Sequence, residues 1–523
     1  MRAGRLRHPA LAMHPIQTLA RPQSGRNGLF RMLSFKGIAL AGVALALLCA
    51  CGSEARKTDN PSPLADCEPG DGPRNALCGW IPVYEDRSAA SGRQIDLRVV
   101  VYPALSRDRQ PDPLFVLAGG PGQGAAQISS LVIGLLGDVR RERDIVFVDQ
   151  RGTGLSNGLP CDQDTDDLSA FLSDDHAVDT FLNCLEGYEA DLRFYTTPLA
   201  MDDLDDVRSV LGYERINLWG ASYGTRAALV YVRRHGERVR SVVFDGAVPM
   251  TMTLPEGFPQ DSQRALDLLL EDCEHRAACQ ERFPDLPRKL DEVLARLDRE
   301  TKVSSLRHPR TGASVEVTLR SEVVTNTLRL ALYSPEAAAL VPMLVEQMHG
   351  GDFAGLLALA VGAESSPSEV RVNWGMFFSV ICAEDLPWVA ESVRNLAPAG
   401  VFSNDETIEA WDKICSAWPR GEIAADYHEP VVSDVPALVL SGALDPVTPP
   451  RRGEELAAGF ARALHLVVPG TGHGATGRGC VSKLVAEFVQ AGSADDLDTS
   501  CVEEFKRPGF FVTPGGPTME RER

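Results

Sequence analysis

The sequence has little positive charge and lacks a metal-binding motif. Its 523 residues include 72 Asp or Glu against 52 Lys or Arg, and the formal net charge is −20. A surface of this sign repels phosphate backbones, so we expect no nucleic-acid partner, whereas a free amine would be attracted. No C-x-x-C pair and no H-E-x-x-H helix occurs, and we therefore expect neither a metal ion nor another cofactor.

Long hydrophobic runs are also missing. The apolar run Gly37–Leu48 follows Lys36 and is too short to span a bilayer as a helix, which needs about 20 residues. It ends in a Leu-Cys-Ala-Cys-Gly motif that resembles the bacterial lipobox, in which a small residue precedes a lipidated cysteine. We predict that residues 1–51 are an export leader and that Cys51 is lipidated. The alternative is an ordinary secretory signal that is cleaved near Ala50.

The rest of the chain alternates short β-rich runs with helical stretches. This pattern predicts an α/β fold with a mostly parallel sheet and helices on both faces. From Met250 to about Tyr427 the pattern changes to amphipathic helix, which predicts an inserted helical cap. The predicted organisation is a linker at 52–74, a first core part at 75–250, the cap at 251–430, a second core part at 431–510 and a tail at 511–523.

The cysteines favour an oxidising compartment. Of the twelve, Cys49 and Cys51 belong to the leader, and the remaining ten are an even number. Sequence does not prove their connectivity, but pairing neighbours closes five modest loops and leaves no cysteine free. The candidate pairs are Cys67 with Cys78, Cys161 with Cys184, Cys273 with Cys279, Cys382 with Cys415 and Cys480 with Cys501.

The strongest chemical signal is a G-x-S-x-G motif centred on Ser222. A predicted strand precedes it and a predicted helix follows it. In that context, the two glycines permit a turn so tight that the serine hydroxyl is exposed as a nucleophile. The alternative is an ordinary serine in a strand–helix turn. We interpret Ser222 as the nucleophile of a serine hydrolase of the α/β-hydrolase type.

A nucleophilic serine needs a base and an orienting acid, and in this fold they follow it in the order acid, then histidine. Asp445 ends a predicted strand downstream of the cap, whereas the rival Asp434 precedes that strand. Only His465 and His473 follow Asp445. His465 falls within a predicted strand, where packing is its expected role. His473 lies on a glycine-rich loop, and we therefore predict it as the base.

The reaction also needs hydrogen-bond donors for the developing oxyanion. A predicted strand leads into a glycine-rich loop at Gly119 and Gly120, which are candidates for one donor. The other is the backbone N–H of Tyr223, directly after the nucleophile. The segment Gly120–Ala125 also fits a dinucleotide fingerprint, but no clean βαβ unit surrounds it, which makes this reading the weaker one.

Three motifs together resemble those of a known family, covering roughly residues 75–505. They are Ala118-Gly119-Gly120-Pro121-Gly122, Asp149-Gln150-Arg151-Gly152-Thr153-Gly154-Leu155-Ser156 and Gly220-Ala221-Ser222-Tyr223-Gly224-Thr225. The chain is similar to the proline iminopeptidases, and more closely to the secreted tripeptidyl aminopeptidases. One departure is Ala118, where the iminopeptidase loop usually begins with histidine. The resemblance implies an exopeptidase that removes one or a few residues from peptides with a free N-terminus.

Relatives of this kind hold the substrate ammonium with acidic side chains of the cap. Glu384 and Asp385 are the candidates here, and a Cys382–Cys415 bond would hold them over the cleft. The alternative is a solvated acidic pair without a binding role. For Arg151 a structural role is favoured, with Asp149 as one possible partner.

Two other functions stay open. Fold and triad do not determine the scissile bond, so an esterase or lipase-like hydrolase is the first alternative. A binding protein on a hydrolase scaffold, without catalysis, is the second. It is disfavoured because nucleophile, acid, base and oxyanion loop are all present. Hydrolysis of peptidyl anilides against short acyl esters distinguishes the two enzymes.

Overall fold

The structure is a computed structural model. It describes residues 63–68, 70, 72–161, 174–308, 311–364, 371–389, 400–403 and 405–517. The predicted leader with Cys51 and most of the predicted linker lie outside these residues. Within the described part of the chain, no helix combines the length and the apolar character needed to cross a bilayer.

A nine-stranded sheet forms the centre of the fold, in the spatial order β1-β2-β3-β5-β4-β6-β7-β10-β11. Pairing is antiparallel from β1 to β3 and between β3 and β5, and parallel across the remaining strands. The strands are β1 (Leu64–Asp66), β2 (Leu77–Tyr84), β3 (Gln94–Tyr102), β4 (Leu114–Leu117), β5 (Ile145–Val148), β6 (Ile216–Ala221), β7 (Val239–Asp245), β10 (Ala437–Gly442) and β11 (Ala463–Val468). The predicted strands before Gly119, before Ser222 and before Asp445, and the one that contains His465, are present as β4, β6, β10 and β11.

Both faces of this sheet are buried. In β4, Phe115 and Leu117 pack into one hydrophobic cluster, while Leu114 and Val116 pack into the cluster on the opposite face. Side chains alternate between faces along a strand, so a strand that is covered on both sides must be apolar at every position. This explains the uninterrupted Leu-Phe-Val-Leu and Ile-Val-Phe-Val runs of β4 and β5.

The helices cover the sheet and fill the insertion. Those before β10 are α1 (Ser129–Leu135), α2 (Asp174–Gly187), α3 (Thr197–Val210), α4 (Tyr223–His235), α5 (Phe258–His275), α6 (Ala277–Arg282), α7 (Leu286–Arg299), α8 (Ser321–Leu332), α9 (Pro335–Ala338), α10 (Val341–His349), α11 (Ala354–Glu364), α12 (Trp374–Val380) and α13 (Asp405–Ala417). A π-helical turn, Ile381–Asp385, continues α12. Helices α14 (Pro450–Ala457) and α15 (Val481–Ala491) belong to the C-terminal region.

The segment between β7 and β10 carries α5 to α13 and supplies most of a separate hydrophobic cluster, which Phe510 and Val512 near the C-terminus complete. It also contains an antiparallel hairpin of β8 (Lys302–Arg307) and β9 (Ser314–Leu319). The helical periodicity of the surrounding sequence did not predict this hairpin. Two residues, Ala339 and Leu340, separate α9 from α10, and Pro342 lies in the first turn of α10. We refer to this segment as the cap.

Five disulfide bonds join cysteines that are neighbours in sequence. Their pairs are those that the sequence predicts: Cys67–Cys78, Cys161–Cys184, Cys273–Cys279, Cys382–Cys415 and Cys480–Cys501. The Cys382–Cys415 bond connects the π-helical turn with α13.

Candidate active site

Ser222 lies in a sharp turn between β6 and α4. Its backbone has φ 55° and ψ −124°, a conformation that is strained for a residue with a side chain. A β-carbon on Gly220 would lie 2.3 Å from the carbonyl oxygen of Gly224, and one on Gly224 would lie 2.2 Å from the carbonyl oxygen of Leu117. Both positions of the motif therefore require glycine, because the backbone segments approach too closely for any larger residue.

Asp445 and His473 meet at the carboxyl ends of β10 and β11. The Nδ1 atom of His473 lies 2.8 Å from Oδ2 of Asp445, which leaves Nε2 for another partner. The other carboxylate oxygen accepts the backbone N–H groups of Val447 and Thr448 at 2.9 and 2.8 Å. These bonds hold the carboxylate in one orientation toward the imidazole.

Asp445 and His473 shift each other's pKa in the direction that favours the charged form of both side chains. Burial opposes the charged form of His473, but the carboxylate of Asp445 outweighs it and raises the pKa of His473 above its usual value. Burial likewise opposes the ionised form of Asp445, whereas the charge and hydrogen bond of His473 lower the pKa of this carboxyl overall. The arrangement therefore stabilises an imidazolium, the species that forms when the base accepts a proton.

Backbone contacts bring Ser222 and His473 to the same edge of the sheet. The N–H of Ser222 donates to the carbonyl of Asp245 at 2.9 Å. The next residue, Gly246, approaches the base, because a β-carbon there would lie 3.2 Å from Cε1 of His473. The end of β7 thus lies between the residues that the sequence predicts as nucleophile and base.

Two residues at this site were missed by sequence reasoning. The hydroxyl of Thr448 donates to Oδ2 of Asp445 at 2.7 Å and lies 3.1 Å from Nδ1 of His473. Tyr333, at the end of α8, places its ring edge-to-face with the imidazole of His473. Its backbone carbonyl accepts the backbone N–H of His473 at 2.8 Å. A hydroxyl residue three positions after the candidate acid could have indicated the role of Thr448. No sequence pattern indicates the contact of Tyr333 with His473.

The predicted oxyanion donors surround Ser222. A β-carbon on Gly119 would lie 3.3 Å from Cβ of Ser222, so this loop passes directly beside the serine. Tyr223 is the first residue of α4, where an N–H has no acceptor within its own helix. Among the described residues, the N–H groups of Gly119, Gly120 and Tyr223 donate to no protein acceptor.

A buried carboxylate holds the oxyanion loop in place. Oδ1 of Asp149 accepts the N–H groups of Ala126 and Gln127, and Oδ2 accepts that of Leu155. Burial raises the pKa of Asp149 to about 6, although these three hydrogen bonds favour the ionised form. Asp149 therefore connects the glycine-rich loop after β4 with the turn that follows β5.

The cap contacts each of the three loops that carry candidate catalytic groups. Besides the contact of Tyr333 with His473, Asn373 donates its backbone N–H and its amide group to the carbonyl of Gly122 in the oxyanion loop. Ser262 of α5 donates to the carbonyl of Pro446, next to the candidate acid. Cap elements thus border the site on three sides.

The prediction that Glu384 binds the substrate ammonium is contradicted by its surroundings. The side chain is fully buried and accepts hydrogen bonds from the N–H and hydroxyl of Thr197, at 2.6 and 2.7 Å, and from the hydroxyl of Tyr427. Burial raises the pKa of Glu384 to about 7 despite these bonds. Its carboxyl therefore faces the interior rather than a substrate.

The same correction applies to Asp385. It forms an ion pair with Arg226 at 2.7 Å, and both side chains are inaccessible to solvent. Oδ1 also accepts the N–H of Leu254 at 3.1 Å. A charge buried in this way needs its partner, so Asp385 has a structural role against the first turns of α4. The predicted Cys382–Cys415 bond is present, but Glu384 and Asp385 beside it face the protein interior.

Arg151 has a structural role, as expected, and its partner is Asp203 rather than Asp149, which was one possible partner. Its guanidinium is buried and pairs with both carboxylate oxygens of Asp203 at 2.6 and 2.8 Å. It also donates to the carbonyls of Glu85 and Phe194. His465 packs within β11, as expected, at 3.0 Å from the hydroxyl of Ser441.

The sheet order, the strained serine after β6 and the acid and histidine after the last two strands define an α/β-hydrolase. Residues 112–282 match the family model described as alpha/beta hydrolase fold. Residues 400–501 match the model described as TAP-like protein. The chain has the α/β-hydrolase fold.

Several of its relatives are named as peptidases. Serine protease Hip1 of Mycobacterium tuberculosis is 27% identical, over 91% of this chain and 99% of the relative. Tripeptidyl aminopeptidase of Streptomyces lividans is 28% identical over 34% of this chain and 36% of the relative. Proline iminopeptidase of Neisseria gonorrhoeae is 30% identical over 26% of this chain and 32% of the relative. These similarities confirm the resemblance that the sequence motifs indicate.

Proposed function

We propose that this chain is an exported serine exopeptidase that removes one or a few residues from the free N-terminus of peptides. Ser222 is the nucleophile, His473 the base and Asp445 its orienting acid. The bond from Nδ1 of His473 to Asp445 supports these roles, because it engages Nδ1 and leaves Nε2 as the ring nitrogen that can accept a proton.

In this mechanism Ser222 Oγ attacks the scissile carbonyl while Nε2 of His473 accepts its proton. The backbone N–H of Tyr223 and one from Gly119 or Gly120 stabilise the oxyanion. His473 then donates the proton to the leaving amine, and an acyl-enzyme remains. A water molecule, deprotonated by His473, then attacks the ester. His473 returns this proton to Ser222 Oγ as the acyl–oxygen bond breaks and the peptide fragment is released.

The observation that carries the preference for chain ends is the contact of the cap with all three catalytic loops. Tyr333, Asn373 and Ser262 border the candidate base, the oxyanion loop and the acid. A cleft enclosed on several sides admits a chain terminus more readily than the middle of a polypeptide. Because Glu384 and Asp385 are internally paired, the proposed ammonium site must use other acidic groups.

Export is supported by the five disulfides, since such bonds persist in oxidising compartments. The proposed location is the periplasmic or outer side of a bacterial membrane, with the lipid on Cys51 as anchor. A secreted form without the anchor is the alternative.

The decisive experiment compares three substrates on the purified wild type and on Ser222→Ala. These are a tripeptidyl anilide with a free amine, its N-acetylated twin and a short acyl ester. We expect the free-amine anilide to be cleaved fastest, by at least about 10²-fold over the acetylated twin, the cost of leaving a buried carboxylate unpaired. Ser222→Ala should lose all activity, and a fluorophosphonate should label the wild type alone.

Equal cleavage of both anilides would refute the aminopeptidase proposal and favour an endopeptidase. Cleavage of the ester alone would favour an esterase. Wild-type activity in folded Ser222→Ala would refute the entire assignment of the site.

A further inference from the structure

Neither the triad nor the oxyanion loop involves the side chain of Asp245, the last residue of β7. This strand lies between β6, which ends next to Ser222, and β10, which leads to the candidate acid. Asp245 pairs with Ala221 on one side and with Leu440 on the other. Asp245 is buried, and the backbone pairing of the sheet does not account for a carboxyl group at this position.

The carboxylate binds the backbone just beyond the base. Oδ1 accepts the N–H of Ala475 at 2.7 Å, and Oδ2 accepts the N–H of Thr476 at 2.9 Å. The hydroxyl of Thr476 in turn accepts the indole N–H of Trp219 at 3.1 Å. Two consecutive amides are thus held on the two oxygens of one carboxyl group, a geometry that suits the ionised acid, whose oxygens act as acceptors only.

The loop that carries His473 needs such an anchor. Gly470 and Gly474 on either side of the histidine have positive φ, so the loop is built from residues with wide backbone freedom. The cap carbonyl of Tyr333 holds the N–H of His473 itself, and Asp245 holds the segment after it. The polar contacts of the ring, with Asp445 and with the hydroxyl of Thr448, restrain its Nδ1 side.

We propose that Asp245 is a positioning residue that sets the distance between nucleophile and base: its carbonyl holds the backbone of Ser222 while its carboxylate holds the loop of His473. The first bond is that from the N–H of Ser222, at 2.9 Å. One residue therefore connects the two groups between which the proton must pass, and this proposal rests on the proposed roles of Ser222 and His473. A shift of about 1 Å between reacting groups can reduce the rate by about 10²-fold.

Asp245 also acts on the base through its charge. Burial raises its own pKa, which the N–H groups of Ala475 and Thr476 and the charge of His473 partly offset. The imidazole faces Asp445, Asp245 and the ring of Tyr333, and both carboxylates stabilise its protonated form. Removing the charge of Asp245 should therefore lower the pKa of His473.

Asp245→Asn tests the proposal. The amide retains the size of the side chain but presents an NH₂ group to one of the two N–H donors. We expect kcat to fall by about 10- to 100-fold with little change in KM. The acidic limb of kcat/KM against pH should move to lower pH. The rate of fluorophosphonate labelling should fall with kcat, because both report on the serine and its base.

Asp112→Asn is the matched control. This carboxylate is also buried, and it accepts hydrogen bonds from Nδ2 of Asn217 and Nε of Arg143. It precedes β4 and therefore lies at the opposite end of the sheet from the site. We expect Asp112→Asn to retain the wild-type kcat and pH profile whatever its stability. Wild-type kcat and an unshifted pH profile in folded Asp245→Asn would overturn the proposal.

A measurement on the wild type covers the case in which Asp245→Asn does not fold. Hydrogen exchange of the peptide that contains Ala475 and Thr476 should be as slow as that of the core strands, because a buried carboxylate holds both amides. Exchange at the rate of an exposed loop would overturn the proposal. Loss of labelling in Ser222→Ala is judged separately, since it tests the proposed function and not the role of Asp245.

Discussion

Glu384 of the cap accepts hydrogen bonds from both the backbone N–H and the hydroxyl of Thr197, and that hydroxyl lies 2.5 Å from the phenol oxygen of Tyr223. A cap carboxyl is therefore two hydrogen bonds from the residue that follows the proposed nucleophile. Tyr427 completes this buried network from the other end of the cap. The network joins the cap to the turn that carries Ser222.

This placement predicts the outcome of Glu384→Gln. Because the carboxyl does not face the cleft, the ratio of activity on free-amine and N-acetylated anilides should stay at the wild-type value. The variant should lose stability, since an amide offers one acceptor oxygen where the carboxylate offers two to Thr197 and Tyr427, at a cost of about 1–3 kcal/mol. Substrate ratios and urea unfolding measure the two effects. A collapsed ratio in a stable variant would restore Glu384 as an amine ligand.

Asp149→Asn should change the pH dependence of stability. The raised pKa, about 6 against an ordinary 3.8, means that the folded protein binds a proton which the unfolded chain releases between these values. Wild-type stability relative to the variant should therefore decrease by about 2 kcal/mol as pH rises from about 4 to 6, out of about 3 kcal/mol for the whole shift. Urea unfolding of both proteins across this range measures the difference.

Asp498→Asn is the control for that experiment, with the opposite sign. The hydroxyl and N–H of Ser500 lower the pKa of Asp498, so its contribution to stability is present at high pH and is lost as pH falls. A difference between wild type and Asp149→Asn that does not vary with pH would contradict the prediction for Asp149.

The acidic limb of kcat/KM should report His473. Because Asp445 raises the pKa of the imidazole, we expect the midpoint of this limb above the ordinary histidine value of about 6.5. Asp445→Asn should move the midpoint to lower pH and reduce kcat by about 10³- to 10⁴-fold. Glu384→Gln is the control and should leave the midpoint in place. A rate that does not vary between pH 5 and 8 would exclude a histidine base.

Thr448→Val should lower kcat with little effect on KM. The hydroxyl donates to Asp445 at 2.7 Å, and hydrogen bonds to charged groups contribute about 1.5–3 kcal/mol, or roughly 10- to 100-fold in rate. Thr448→Ser retains the donor and should remain close to wild type. If both variants behaved alike, packing of the side chain and not its hydroxyl would matter.

Cys51→Ser should release the protein from membranes if this residue carries the lipid. Wild-type protein expressed with its leader should partition into the detergent phase of a temperature-induced phase separation, and Cys51→Ser should partition into the aqueous phase. Cys49→Ser is the matched control, because its cysteine lies two residues earlier in the same motif, and it should behave as wild type. Aqueous partitioning of the wild type would favour a secreted protein.

Several features of this protein could be predicted from local sequence alone. The buried strands appear as short apolar runs because both sheet faces are covered, and the turn at Ser222 is marked by glycines whose neighbours leave no space for a β-carbon. The order of Ser222, Asp445 and His473 follows from strand ends in chain order. The disulfide pairs could be predicted from the sequence because each bond closes a short loop.

Contacts between segments that are distant in the chain were determined only by the tertiary structure. An acidic pair in the cap has the same sequence whether it faces a cleft or the interior. Only packing shows that Glu384 meets Thr197, 187 residues away, and that Asp385 meets Arg226, 159 residues away. The role of Asp245 likewise depends on the loop after β11, which lies 230 residues later. Burial and partners determine the role of a charged side chain, and both are properties of the folded chain rather than of its local sequence.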